Sequence, residues 1–208
     1  MRPTIICLIA GIAALMFAFD AVGADTATVK TGVMQFEATG IESSSSGSST
    51  GVSRAARFNV SNLTIQWSHF PKTNLGIYGN YRTAIDPSIG RTMYMEGSGG
   101  IRYFPWTLGV PIVSTSQSAS FQYDSWVKPY IEGGIGIGWY LIKTFEEFGA
   151  LEISSEFYAI GLGLGAAFTL TKSMALDISI ALEKMSGYGP VPFSGSGKFA
   201  TLGVIYFF

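Results

Sequence analysis

The residue types that carry most enzyme chemistry are scarce in this chain. Its 208 residues include one histidine, His69, and one cysteine, Cys7. His69 directly follows Ser68, and a histidine beside a serine can activate the hydroxyl as a nucleophile. The segment around them alternates as a strand does, however, and adjacent residues of a strand point to opposite faces. We therefore expect no catalysis at this pair. A single histidine among scattered carboxylates also predicts no metal or cofactor site.

A second set of ionisable residues lies inside segments that alternate with a period of two. This period indicates strands that have one apolar and one polar face. In the segment 174–184, for example, Asp177 and Glu183 alternate with leucine and isoleucine. Together with Gln66 and Asn80, the inward parity of the predicted strands collects seven charged residues: Glu37, Arg82, Glu96, Arg102, Glu132, Asp177 and Glu183.

Charges enclosed by a closed sheet need partners, because an unpaired buried charge is costly. Arg82 and Glu96 fall at facing ends of neighbouring predicted strands, and so do Arg102 and Glu132, which allows cross-strand contact. Two interpretations remain open: a structural plug of ion pairs and water, or a conducting path gated by these pairs. Inward acids outnumber inward bases by five to two in this assignment, so such a path is predicted to favour cations.

Eight segments have the strand period and a length of about ten residues, which a tilted strand needs to cross a bilayer. They are 29–39, 58–70, 75–83, 92–104, 128–141, 157–170, 174–184 and 199–208. Short turns are predicted on one side, at 71–74 and 171–173. Long connections are predicted on the other, at 40–57, 84–91, 142–156 and 185–198. Residues 105–127 are predicted as an extended connection with some structure of its own. The predicted fold is all-β, an eight-stranded antiparallel up-and-down transmembrane β-barrel.

The composition agrees with a barrel that lies in a membrane. Charged residues make up 13% of the chain, against roughly 25% in soluble proteins, while aromatic residues reach 14%. The 13 Lys and Arg against 14 Asp and Glu leave no basic excess, so no nucleic-acid partner is expected. Aromatic residues at predicted strand ends indicate two interfacial girdles, formed by Trp67, Phe70, Tyr103, Trp106, Trp139, Tyr158, Phe168, Tyr206 and Phe208.

The first 24 residues have the pattern of a secretory signal peptide. Arg2 precedes an apolar core, and small residues follow it up to Ala24, which predicts cleavage after Ala24 or Gly23. Cys7 lies in the apolar core, so the mature chain is predicted to contain no disulfide. The predicted division is a signal peptide at 1–24 and an outer-membrane barrel domain at 25–208.

The last ten residues form the clearest resemblance to a known family. They alternate as a strand and end on an aromatic residue, with Leu202, Val204, Tyr206 and Phe208 on one parity. With the signal peptide and Gly-rich strands such as 129–139, the chain resembles the small bacterial outer-membrane β-barrels of the OmpA/OmpW-like type, over the barrel domain only. The resemblance implies that these four residues are an insertion signal for the barrel-insertion machinery. It also implies periplasmic chaperones as partners, contact with outer-membrane lipid, and localisation in the cell outer membrane.

The function expected from the sequence is a structural or surface-interaction role in the outer membrane. The lumen is expected to be plugged by ion pairs, and the long loops to be available to an extracellular partner. The alternative, which the resemblance to OmpW-like barrels suggests, is a narrow porin-like channel or conduit for small ions or apolar solutes.

Overall fold

The computed structural model describes residues 24–41, 54–72, 74–86, 91–106, 110–113, 119–122, 126–146, 149–171, 173–188 and 193–208. The predicted signal peptide up to residue 23 and the Ser/Gly-rich residues 42–53 lie outside these ranges.

Ten strands account for almost all of the described residues. They are β1 Ala24–Ile41, β2 Arg54–Lys72, β3 Leu75–Asp86, β4 Arg91–Tyr103, β5 Val110–Val113, β6 Ala119–Gln122, β7 Val127–Glu146, β8 Gly149–Thr171, β9 Met174–Gly187 and β10 Ser194–Phe207. Eight of them close into one antiparallel barrel in the order β1-β10-β9-β8-β7-β4-β3-β2. The predicted eight-stranded up-and-down barrel is confirmed. In the described ranges, no helix is long and apolar enough to cross a membrane.

Side chains alternate between the lumen and the outer face along every barrel strand. On β9, Asp177 and Ser179 are buried, whereas Ile178 and Ile180 are exposed. The period of two follows from the pleat of a strand. Eight strands enclose a space just wide enough for side chains to fill, so the inward parity forms the core of the molecule.

The two ends of the barrel differ in their connections. At one end, which we call the turn end, the tight turns at Asn74 and Ser173 lie beside Ala24 and Phe207. Backbone hydrogen bonds close this end, for example from Phe104 N to the Asn74 carbonyl oxygen at 2.9 Å. The opposite end, which we call the loop end, carries the connections from β1 to β2, β3 to β4, β7 to β8 and β9 to β10.

One predicted connection is replaced by strand structure, and another has structure of its own, as predicted. The segment 142–156 was expected to be a charged loop, but β7 and β8 pair continuously from Val127↔Phe168 to Glu146↔Gly149. The ladder consists of backbone hydrogen bonds, so charged residues along the two strands do not end it. The segment 105–127 contains the short antiparallel hairpin β5–β6, separate from the barrel sheet.

Candidate functional site: a lumen closed in layers

The loop half of the lumen holds one guanidinium group between two carboxylates. Arg82 on β3 lies opposite Glu96 on β4, and Arg82 Nη1 is 3.1 Å from Glu96 Oε2. The same nitrogen is 2.5 Å from Oε1 of Glu183 on β9, the strand diametrically opposite β3. Tyr94 donates its hydroxyl hydrogen to Glu96. The Arg82 guanidinium carbon also lies 3.8 Å from the ring centroid of Phe199. These buried contacts tie β3, β4, β9 and β10 together across the lumen.

The turn half contains a second arginine with one carboxylate partner. Arg102 on β4 lies opposite Glu132 on β7, and Arg102 Nη2 is 2.7 Å from Glu132 Oε2. The same Nη2 donates a hydrogen bond to Gln66 Oε1 at 3.0 Å. The guanidinium carbon is 4.1 Å from the ring centroid of Tyr130. Arg102 is 1% exposed, so its charge is satisfied entirely by the protein.

A lysine that the sequence interpretation missed completes the turn half. Lys30 Nζ on β1 is 2.7 Å from Asp177 Oδ2 on β9. Tyr130 donates its hydroxyl hydrogen to Asp177 Oδ1 at 2.6 Å, and Lys30 donates to Ser179 Oγ at 3.2 Å. Elsewhere in the lumen, Ser98 Oγ is 2.6 Å from Asn80 Oδ1, so this predicted inward amide is also hydrogen-bonded.

The assignment of Glu37 to the lumen is wrong. Glu37 shares its parity on β1 with Val29 and Val33, which are 53% and 63% exposed, whereas Met34 and Phe36 are buried. The apolar parity of β1 is predicted to face lipid, but near the loop end it faces the lumen, which is itself lined there with apolar side chains. Thr26, Thr28 and Lys30 share their parity with Met34 and Phe36, and these polar residues are the signal in the sequence that this parity faces the lumen.

This correction changes the charge balance of the lumen. Among the side chains that the structure describes, the inward bases are Lys30, Arg82, Arg102 and Lys128, all of them buried, and the inward acids are the buried Glu96, Asp177 and Glu183 and the partly buried Glu132. Four bases against four acids replace the predicted two against five. The premise on which cation preference was predicted therefore fails.

Aromatic layers lie above and below the charged layer. At the loop end, a buried cluster includes Phe36, Tyr94, Tyr140, Phe157 and Phe193. Phe193 comes from the connection before β10, and its ring centroid is 4.6 Å from that of Tyr140. At the turn end, Phe104 packs against Phe70 at 5.9 Å and Tyr130 at 5.4 Å between centroids. Phe70 was predicted to belong to the outer girdle, but it is 4% exposed inside the barrel.

Glycines on the inner face of β7 and β8 make room for the carboxylates. A Cβ atom at Gly136 would lie 2.5 Å from Glu96 Oε1, one at Gly161 2.7 Å from Glu183 Cγ, and one at Gly163 2.9 Å from Glu132 Cγ. The space left beside this wall is a cavity of about 20 Å³, lined partly by these same three glutamates. This volume holds only one or two water molecules.

The single histidine lies on the outer face near the turn end. His69 Nδ1 is 2.8 Å from Asp25 Oδ1. Ser68 is fully buried in the lumen, where its Oγ accepts a hydrogen bond from Gln66 Nε2 at 3.4 Å. His69 and Ser68 therefore face opposite sides of the sheet. In the described part of the chain, no group of three or more His, Cys, Asp or Glu residues is placed to hold a metal ion.

The outer face is apolar over a defined height. The outward residues at the middle of β8 and β9 are 45–69% exposed, and they are Ile160, Leu162, Leu164, Ile178, Ile180 and Leu182. On β8 this band runs between the aromatic residues Phe168 and Tyr158, ten residues apart. A rise of about 3.3 Å per residue and a tilt of about 40° give a height of about 25 Å. This is the height of the apolar band of outer-membrane barrels.

The four C-terminal residues of the predicted insertion signal form a row on the outer face. Leu202, Val204, Tyr206 and Phe208 are all exposed, while Thr201 and Ile205 on the other parity are buried. The Phe208 ring stacks on Trp67 of β2, with 5.3 Å between centroids. The backbone of this strand closes the barrel against β1, from Thr26↔Phe207 to Thr39↔Ser194.

Solved structures with the same architecture are outer-membrane barrels. Neisserial surface protein A (NspA) matches with a TM-score of 0.51 at 16% sequence identity, covering 88% of this chain and 97% of that one. The outer membrane protein OprG from Pseudomonas aeruginosa matches with a TM-score of 0.51 at 11% identity, covering 89% and 97%. No protein-family model matches the sequence, and no curated protein matches it. The chain has the fold of small eight-stranded outer-membrane barrels, and at these identities the likeness concerns the fold alone.

Proposed function

We propose that this chain is an integral outer-membrane β-barrel protein with a structural or surface-interaction role and a lumen that does not conduct ions. The outer face supports insertion in a membrane, because its apolar band has a height of about 25 Å. Isoleucine and leucine at more than half exposure, such as Ile160 and Leu162, would be unfavourable in water over so large an area. The shared fold with two outer-membrane proteins favours the bacterial outer membrane as the location.

The observation that carries the proposal is the packing of described side chains in three layers along the lumen. Phe193 and its aromatic neighbours fill the loop end, the arginine-carboxylate contacts cross the middle, and Phe70 and Phe104 fill the turn end. A channel requires a pore that ions can enter and leave. The cavity of about 20 Å³ beside Glu96 and Glu183 has room for only one or two water molecules.

Export and assembly are the second part of the proposal. Residues 1–24 direct export and leave 25–208 as the barrel, which periplasmic chaperones escort to the barrel-insertion machinery. The insertion signal is the row Leu202, Val204, Tyr206 and Phe208. Its support is that all four side chains lie on the outer face of the strand that closes the barrel, where another protein can contact them before closure.

The loop end is the proposed surface for contacts outside the cell. Beyond Tyr140, β7 pairs with β8 through six further rows that end at Glu146↔Gly149. In the described pairings, neither β4 nor β9 accompanies these rows. At about 3.3 Å per residue, these rows extend about 20 Å beyond the last described pairing between β4 and β7. This β7–β8 hairpin is the contact surface that we propose for an extracellular partner.

Single-channel recording in a planar bilayer tests the proposal. Refolded residues 25–208 are first checked for the heat-dependent gel shift of a folded barrel, and a large porin in the same lipid serves as the positive control. We expect a silent bilayer, because the described side chains of the lumen pack in aromatic and ion-paired layers from one end to the other. Reproducible discrete openings would contradict the proposal and favour the narrow porin-like channel.

A further inference from the structure

The contact between Arg82, Glu96 and Glu183 is unusual in its charge. One guanidinium nitrogen, Arg82 Nη1, lies 3.1 Å from a Glu96 oxygen and 2.5 Å from a Glu183 oxygen. The exposed fractions of the three side chains are 8%, 1% and 8%. If both carboxylates are ionised, this buried cluster carries one net negative charge. Two like charges that share a site cannot both ionise without a large penalty.

Among the side chains that the structure describes, the groups that face this cluster do not supply the missing positive charge. From β4, Tyr94 is a neutral donor to Glu96. From β3, Tyr78 lines the adjoining cavity, and from β7, Glu132 adds a further acid that Arg102 already pairs. The other described contacts of the cluster are with uncharged residues: Thr64 on β2, Gly161 on β8 and Phe199 on β10.

A further observation concerns a carboxylate oxygen of Glu183. Glu183 Oε2 is buried and has no hydrogen-bond partner. A carboxylate oxygen without a partner in a closed lumen is costly, whereas a protonated oxygen can donate a hydrogen bond to a neighbouring carboxylate or to water in the cavity. The residues that the structure describes include no group of three or more His, Cys, Asp or Glu placed to hold a metal ion. We therefore consider a proton as the missing positive charge.

We propose that Glu96 and Glu183 form a proton-binding site that holds one shared proton at neutral pH. The proton restores neutrality to the cluster, because one carboxylic acid, one carboxylate and one guanidinium sum to zero. Its release at alkaline pH transfers it to solvent hydroxide and leaves an uncompensated charge in the loop half of the lumen. The contact between Arg82 on β3 and Glu183 on β9 then contributes less to the stability of the barrel.

Infrared spectroscopy on the folded barrel tests the proposal directly. The protein, residues 25–208, is measured at neutral pH in a detergent without ester groups, so that the carbonyl band of a protonated carboxylic acid is visible. Exposed carboxyl groups are ionised at this pH. We expect one such band in the unmodified protein, shifted in heavy water, and we expect Glu183→Gln to abolish it.

Glu132→Gln is the matched control. Glu132 lies in the same lumen but has its own arginine partner, so its substitution should leave the band in place. Glu96→Gln is a second variant that should also remove the band if Glu183→Gln does not fold. Absence of the band from the unmodified protein at neutral pH would overturn the proposal. A band that survives both Glu183→Gln and Glu96→Gln would overturn it as well.

The stability of the barrel provides an independent measurement. Between the pH at which glutamates ionise in the unfolded chain and the pH at which the pair loses its proton, the native state binds the extra proton. Its stability therefore falls as the pH rises, by up to tenfold in the unfolding constant for each pH unit. Glu183→Gln should flatten this dependence. The stability could instead differ between sodium and choline salts at constant ionic strength and be independent of pH. This result would assign the missing charge to a metal cation and refute the proposal of a bound proton.

Discussion

At the residue scale, the packing of the lumen depends on glycines as much as on charged side chains. A Cβ atom at Gly165 on β8 would overlap the ring of Tyr130, which is buried and hydrogen-bonded to Asp177. The ring has no free space, so we expect Gly165→Ala to lower the free energy of unfolding by about 1–3 kcal/mol. Urea unfolding of the protein in lipid vesicles measures this change.

Gly97 on β4 provides the control for that substitution. No atom lies within 4 Å of a Cβ built there, and the residue faces outward. Gly97→Ala should therefore leave the stability unchanged or slightly raised, because glycine is unfavourable inside a strand. Equal losses for the two variants would show that the crowding at Tyr130 is not the cause.

Contacts at this scale could be derived from the sequence only in part. Arg82 and Glu96 face each other on adjacent strands, and such neighbours follow once the alternation and the turn are known. The second partner of Arg82, Glu183, lies 101 residues away on the opposite strand of the barrel. Which side chains meet across a lumen depends on the stagger of all eight strands, which no local pattern encodes.

At the scale of elements, the sequence predicts strands well where one face is uniformly apolar. On β9, the alternation of Ile178 and Ile180 with Asp177 and Ser179 identifies both faces. On β1 the same rule fails, because Met34 and Phe36 face an apolar part of the lumen while Val29 and Val33 face outward. Both faces are then apolar, so the period of two predicts a strand but does not show which face points to the lumen.

The last strand supports a prediction about assembly. Phe208 is outward, and it stacks on Trp67 at the turn end. If its row is the insertion signal, Phe208→Ala should reduce the folded protein recovered from outer membranes several-fold. The heat-dependent gel shift in isolated membranes measures this yield.

Leu170→Ala is the control for loss of lipid contact. Leu170 is also exposed near the turn end, but it lies on β8 and outside the signal row. Its substitution should change the yield little. A similar drop for both variants would mean that the lost apolar contact, and not the terminal strand, controls assembly.

At the scale of the whole molecule, the apolar band predicts a dependence on depth in the membrane. Leu162 lies near the middle of the band between Phe168 and Tyr158, and it is 69% exposed. Leu162→Lys should lower the free energy of unfolding from lipid by about 2–4 kcal/mol, because a lysine at the midplane faces hydrocarbon.

The matched variant at the edge of the band is Leu170→Lys. Leu170 lies beyond Phe168 towards the turn end, where the expected loss is only about 0–1 kcal/mol. Denaturant unfolding from vesicles compares the two. Equal losses would contradict a membrane position centred on this band.

The length of chain that separates paired strands also affects the order in which the barrel forms. β7 and β8 share twenty paired rows, and only residues 147–148 separate them. β1 and β10 pair Thr26 with Phe207, almost the full described length of the chain apart. The entropy lost on closing a loop grows with its length, so pairing across a short loop forms early. We expect the β7–β8 hairpin to nucleate folding and the seam between β1 and β10 to close last. The outward row of Leu202, Val204, Tyr206 and Phe208 then stays accessible until the final step.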